Sequence, residues 1–211
     1  MLNREGDDMN IVVLRAKCLN VIHMALKVKH GQLNPIAMDA LQAFIRDPRF
    51  ESHGTVENES DTLVMQVLKT INPLESWKPH FQCRILTIII EMMCNPKKRI
   101  SLTIIKETIQ MCSKVYGNAE ETSVRLAARA AVAQIVSSFC STANLPEEFV
   151  AQERIAIFMD VTALLDDTVK NIDKLGHQTE RVVILLDTVY CLLSVQPISI
   201  QTHQPFINVI W

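Results

Sequence analysis

The sequence predicts an all-α protein built from stacked helical hairpins, and three observations carry that prediction. Apolar residues recur every three to four positions along most of the chain, as a helix with one buried face requires. Only 5 glycines interrupt the 211 residues, and the 8 prolines fall mainly between periodic segments, where a residue lacking an N–H punctuates helices. No strand-turn-strand pattern competes with this reading.

The elements follow in order. A first helix is expected over NIVVLRAKCLNVIHMALKVK (10–29). A second opens at Asn34-Pro35, an N-cap followed by a proline at the first helical position, and ends near Asp47-Pro48. The polar stretch ESHGTVENES (51–60) reads as a loop, with Ser60 capping a third helix that stops before Pro73. PHFQCRILTIIIEMMC (79–94) is apolar nearly all round, so it is expected to be enclosed on several sides as the central helix. Asn95-Pro96 ends it, NPKKRI makes a basic turn, and Ser101 caps a fifth helix. Along that helix Thr103, Lys106, Glu107, Gln110, Ser113 and Lys114 form a narrow polar stripe opposite Ile105, Ile109, Cys112 and Tyr116, and Gly117 is the expected left-handed terminator.

An alanine-rich helix runs from about Thr122 to Ser141, and STANLPEE follows as a linker. A long amphipathic helix covers about 147–174 with Gly176 after it, TERVVILLDTVYCLLSV makes the next, and a last segment begins near Pro205. Paired off, these helices give four hairpins starting near residues 10, 60, 101 and 150. A repeat of roughly 40 to 50 residues is that of HEAT or armadillo units, so the expected architecture is a right-handed α-solenoid. The expected organisation is a flexible N-terminus (1–9), a helical repeat domain (10–141), a linker (142–150) and the start of a second helical region (151–211).

The segment RLAARAAVAQIV (125–136) holds 5 alanines and two arginines four residues apart. Alanine has the best helix propensity, and its small side chain lets neighbouring helices approach closely. A fully buried helix would not carry two unpaired charges, so one face bearing Arg125 and Arg129 is expected to reach solvent or a partner.

Composition narrows the function. A hydrophobic fraction of 48% and a mean hydropathy of +0.15 point to extensive interior or interface, while a net charge of -2 and a pI near 6.3 give no global attraction to nucleic acid or anionic membranes. The acidic start MLNREGDDMN is unlike a signal peptide, and apolar runs such as VVILL (182–186), broken by Asp187, are far shorter than the roughly 18 residues a membrane span needs. Cysteines 18, 83, 94, 112, 140 and 191 are scattered without a CxxC pair, which predicts free thiols in a reducing, cytoplasmic compartment.

No phosphate-binding, nucleophile-elbow, zinc or calcium motif occurs, so neither catalytic residues nor a metal or cofactor are expected. His23 and His30 lie about two turns apart, too far for one zinc ion. Asp160, Asp166 and Asp167 read as a solvated helix face rather than an acid/base pair.

The strongest functional feature is basic. In the hairpin that turns near residue 118, antiparallel geometry sets Lys114 level with Arg125 and Lys106 near Arg129, with Lys97, Lys98 and Arg99 at its far end. These seven residues are the candidate partner-binding site for an acidic surface. A solvated ridge partly neutralised by Glu107, Glu120 and Glu121 explains them equally well.

The run AARAAVAQIV (127–136) resembles the pattern TAxATLxQML in the N-terminal domain of the large brefeldin-A-inhibited Arf guanine nucleotide exchange proteins. Ala128, Ala130, Val132, Gln134, Ile135 and Val136 occupy its positions, with Ala131 where threonine is usual. DALQAFIRDPRF (39–50) resembles the family's ALxxLQKLL…RF helix and turn, and FMDVTALLDD (158–167) and HQPFINVIW (203–211) resemble DAFLVFRxLCKL and NEMFINAIK of its next conserved region. The likeness is closest to the divergent third type. It implies a dimerisation and cyclophilin-binding domain followed by the start of the homology-upstream region, both armadillo-like.

Within the family such regions associate with themselves, contact each other, and help recruit the protein to Golgi membranes through small GTPases. The resemblance therefore implies a non-catalytic regulatory scaffold with Arf or Arf-like GTPases, a second copy and its own homology-upstream region as partners. It also implies a cytoplasmic location with peripheral attachment to Golgi or secretory-vesicle membranes through those partners, and no nucleic acid. The catalytic glutamate of the exchange domain has no counterpart, and the apolar end FINVIW suggests that the natural chain continues. The alternative is an unrelated HEAT or armadillo adaptor that binds peptide or protein cargo.

Overall fold

The computed structural model describes residues 10–28, 32–51, 58–95, 100–140, 147–171 and 178–194. These residues form eight α-helices and three 3-10 turns, and none of them is in a strand. The helices are α1 (Ile11–Lys27), α2 (Leu33–Arg46), α3 (Leu63–Ile71), α4 (Pro79–Met93), α5 (Leu102–Asn118), α6 (Thr122–Cys140), α7 (Glu147–Lys170) and α8 (Gln178–Ser194). The 3-10 turns are Pro48–Phe50, Glu59–Asp61 and Leu74–Ser76. The prediction for Pro205 onward falls outside the described residues.

Several helix ends differ from expectation for local reasons. Helix α2 starts one residue before Asn34, whose buried amide donates to the Leu26 carbonyl at 3.4 Å instead of capping its own helix. Pro35 is still harmless there, because N–H groups in a first turn have no intrahelical acceptor. Helix α3 is capped by Thr62, whose hydroxyl accepts from the Met65 N–H at 3.4 Å, while Ser60 lies in the preceding 3-10 turn and donates to Asp61. Gly117 does not terminate α5. It is buried inside the helix, and the cap is Ala119 in extended backbone at φ -73° and ψ 127°. Ser101 caps α5 as expected, accepting from the Ile104 N–H at 3.3 Å.

The chain divides into two compact units, residues Met1–Asn72 and Pro73–Trp211. In the first, α1 packs on α2 and α3, directing Leu19, Ile22 and Leu26 into a core with Met38, Leu41, Val67 and Ile71. Arg15 enters this core at 0% exposure. Its guanidinium donates to the Glu51 carbonyl at 2.9 Å and the Asp61 carbonyl at 3.1 Å, so it holds the ends of two 3-10 turns. His23 Nδ1 and the Thr70 carbonyl, 2.6 Å apart, and Gln66, which donates to the Val12 carbonyl at 3.2 Å, tie α1 to α3.

In the second unit α5 pairs with α6 and α7 with α8, as the hairpin reading expects. Helix α4 buries Ile85, Leu86, Ile88 and Ile89 completely and packs against α6. Helix α4 is not alone at the centre: α5 touches α6, α7 and α8, and α6 touches α4, α5 and α8. Its Ala128 and Ala131 are 0% exposed, and side chains of one carbon let helices close in on more than one side. The boundary at Asn72–Pro73 falls between α3 and α4, the two halves of the expected second hairpin; α3 packs on α1 and α4 on α6.

Candidate functional site

The basic ridge of α5 and α6 lies against the chain's own acids. Helix α8 packs on both α5 and α6, and α7 packs on α5 and α8, with Ile157, Phe158, Val161, Ile184, Leu185 and Leu192 buried among them. Along this apolar seam Lys106 meets Asp160 of α7 at 2.9 Å, Arg125 meets Glu180 of α8 at 3.2 Å, and Arg129 meets Asp187 of α8 at 2.7 Å. Every cation is on the α5–α6 hairpin and every acid on the α7–α8 hairpin. Arg125 also donates through Nε to the Ala119 carbonyl at 2.8 Å, satisfying the end of α5 while it reaches α8.

Three of the seven predicted site residues are thus brought to one seam. Lys114 is half-buried on the same hairpin and makes no ion pair among the described residues. Lys97, Lys98 and Arg99 lie outside the described residues. The neutralising acids are not the expected Glu107, Glu120 and Glu121, which are exposed, but Asp160, Glu180 and Asp187. Asp187 was visible in the sequence as the charge that breaks an apolar run; a lone acid in an apolar helix is the signal that points to a cationic neighbour.

Each pair keeps one side chain at least one-third exposed, so each contributes at most about 1 kcal/mol. The buried apolar residues hold the two hairpins together, and the charges fix their register. Beside the Arg129–Asp187 pair a cleft of about 260 Å³ opens between α6 and α8, lined by Val132, Ala133, Ile184, Thr188 and Tyr190.

Other predicted features resolve simply. Among the described residues no three His, Cys, Asp or Glu side chains come together in a way that would hold a metal ion. Asp160 is taken by Lys106, Asp166 pairs with Lys170 at 2.5 Å, and Asp167 accepts from Asn171, so the acidic cluster is dispersed. All six cysteines are free. Burial pushes the Cys112 thiol up to about 12, and pushes Cys140 up to about 11 against the opposing pull of Arg154. No helix of the described residues is long and apolar enough to cross a membrane.

The concentrated chemistry of the described residues is a seam of complementary charge between two helical hairpins. A family model described as the Mon2/Sec7/BIG1-like dimerisation and cyclophilin-binding domain matches residues 3–141, and the chain belongs to that family. It is 22% identical over 215 residues to brefeldin A-inhibited guanine nucleotide-exchange protein 3 of Homo sapiens, across 94% of this chain and 10% of the relative. The Mus musculus protein of the same name is 21% identical over 220 residues, with the same coverage of 94% and 10%. The chain therefore spans about a tenth of the length of the curated relatives it matches. No solved structure matches it. The family match sets aside the alternative of an adaptor unrelated to exchange proteins.

Proposed function

We propose that this chain is a non-catalytic scaffold region of a large Arf exchange factor, one that associates with itself and helps bring the factor to Golgi or secretory membranes through an Arf or Arf-like GTPase. The family match over residues 3–141 carries this reading, because that family is described by dimerisation and cyclophilin binding and not by exchange. The hairpins continue as a right-handed armadillo-like solenoid, with residues 10–141 as the dimerisation domain and 151–211 as the start of the homology-upstream region. Attachment to membranes is peripheral and runs through partners.

Within this reading the basic ridge serves two partners. Lys106, Arg125 and Arg129 hold α7 and α8, the chain's own following region, by the three ion pairs. Lys114, with Lys97, Lys98 and Arg99, supplies the remaining positive charge for an acidic patch on the GTPase. A titration of the purified chain with GTP-loaded and GDP-loaded Arf-like proteins tests this. The GTP-loaded form is expected to bind, and Lys97→Glu/Lys98→Glu/Arg99→Glu to weaken binding more than tenfold, about 1.4 kcal/mol, in low salt. Failure to bind any loaded GTPase at about 100 μM, a level at which a weak cellular contact would still register, overturns the recruitment reading. Faster nucleotide release caused by the chain alone overturns its non-catalytic character.

A further inference from the structure

Helix α1 has two apolar faces, and only one is buried. Arg15, Leu19, Ile22 and Leu26 point into the core. At roughly 100° per residue, Val13, Lys17, Val21, Met24 and Val28 fall within an arc of roughly 80° on the opposite side. Of these, Val13 is 46% exposed, Val21 69%, Met24 57% and Val28 50%, and the first turns of α2 add Leu33 at 42% and Ile36 at 64%. Together they leave on the order of 500 Å² of apolar surface open. That is near the upper end for a monomer patch, and more than half of the roughly 800 Å² each partner gives to a stable pair.

We infer that this outer face of α1, with the start of α2, is the surface through which two copies of the chain pair. The inference rests on the self-association part of the proposed function and names its site. Two observations commit the face to a second copy. The region matched by the dimerisation family, residues 3–141, contains α1 and α2, whereas the other exposed apolar stripe, Val183, Leu186 and Tyr190 on α8, lies outside it. The face is also self-compatible. Its arc holds one charge, Lys17, and an antiparallel crossing of two α1 helices at Met24 sets the two lysines roughly 20 Å apart, beyond the ~8 Å screening length. Residue pairs then repeat across the two-fold axis, Val21 against Val28 and Met24 against Met24.

Sedimentation velocity of the 211-residue chain across about 1 to 100 μM tests the assignment. The chain is expected to dimerise, and Val21→Gln/Met24→Gln to weaken the dimer at least tenfold with an unchanged helical circular dichroism spectrum. Leu186→Gln/Tyr190→Gln on α8 is expected to leave the dimer intact. If the double glutamine variant misfolds, Met24→Gln alone is read the same way. A dimer that survives the α1 variants, or that is lost with the α8 variant, overturns this face while self-association stands. A chain monomeric throughout the range overturns both. Lipid vesicles that bind the wild type but not the α1 variant, with no dimer in solution, reassign the face to a membrane.

Discussion

Helices α1 and α6 each place arginine in an otherwise apolar stretch, and the structure treats the two in opposite ways. Arg15 of α1 is wholly buried, whereas Arg125 and Arg129 of α6 keep side-chain exposures of 34% and 56%. The difference lies in what surrounds each helix. Helix α1 runs beside two 3-10 turns whose terminal carbonyls, at Glu51 and Asp61, lack intrahelical donors and accept from a guanidinium. Helix α6 is flanked by α4, α5 and α8, whose carbonyls are mostly spent within their own helices. Among the described residues its arginines meet the Ala119 carbonyl at the end of α5 and the side chains of Glu180 and Asp187, at the rim of the α8 contact. Whether a charged residue enters a core is decided by the supply of unspent carbonyls, not by how apolar its own helix is.

Exchanging Arg15 for methionine keeps most of the stem's packing but removes two charge-assisted hydrogen bonds to part-buried carbonyls. The expected cost is about 2 to 4 kcal/mol in urea unfolding, with faster hydrogen exchange confined to α1, α2 and α3. Arg129→Met is expected to cost under about 1 kcal/mol, because its pair is open to solvent. Equal costs at the two positions would end the distinction between them.

Packing against small residues separates the two faces of α6 next. Ala131 is 0% exposed in the middle of the second unit, so Ala131→Leu is expected to force α6 from its neighbours and lower stability by roughly 1 to 3 kcal/mol. The adjacent Ala130 is exposed, and Ala130→Leu is expected to stay within about 0.5 kcal/mol. Thermal melts of both variants measure the contrast. A null effect at Ala131 would mean that α6 sits among its neighbours more loosely than its alanines imply.

Helix existence was legible in the sequence because periodicity, glycine scarcity and proline placement are local. The alanine-rich α6 and the pairing of α5 with α6 follow from the same local rules. What local rules miss is competition among tertiary partners. Asn34 has a capping chemistry but spends its amide on Leu26; Gly117 has a terminator's freedom but sits buried inside α5. Ser60 and Thr62 are equally good caps by type, and only the intervening 3-10 turn selects Thr62. On the candidate ridge, Lys106, Arg125 and Arg129 were recognisable as a cationic group, but their acids stand 54 to 58 residues away from the arginines and lysine they meet, beyond the reach of any helical spacing. Arg15 gave no warning at all, since its acceptors are backbone carbonyls that carry no side-chain signature.

The smallest expected effect tests what the seam of charges does. In a double-mutant cycle on Arg129→Ala and Asp187→Ala, the coupling is expected to be about 0.2 to 1 kcal/mol, falling as salt rises, since Arg129 is more than half exposed. Stability therefore comes chiefly from Phe158, Ile184, Leu185 and their neighbours, and the ion pairs act on register. The charge-swapped chain Arg129→Asp/Asp187→Arg separates these roles. It is expected to restore the stability lost by either single reversal, because the local geometry accepts either order of charge, while Arg129→Asp alone sets two carboxylates together and loosens α8. Limited proteolysis of the peptide bonds in α8 reports that loosening directly. If Arg129→Asp leaves α8 as protected as the wild type at low salt, the apolar contacts alone set the register and the charges on this seam are free to serve another partner.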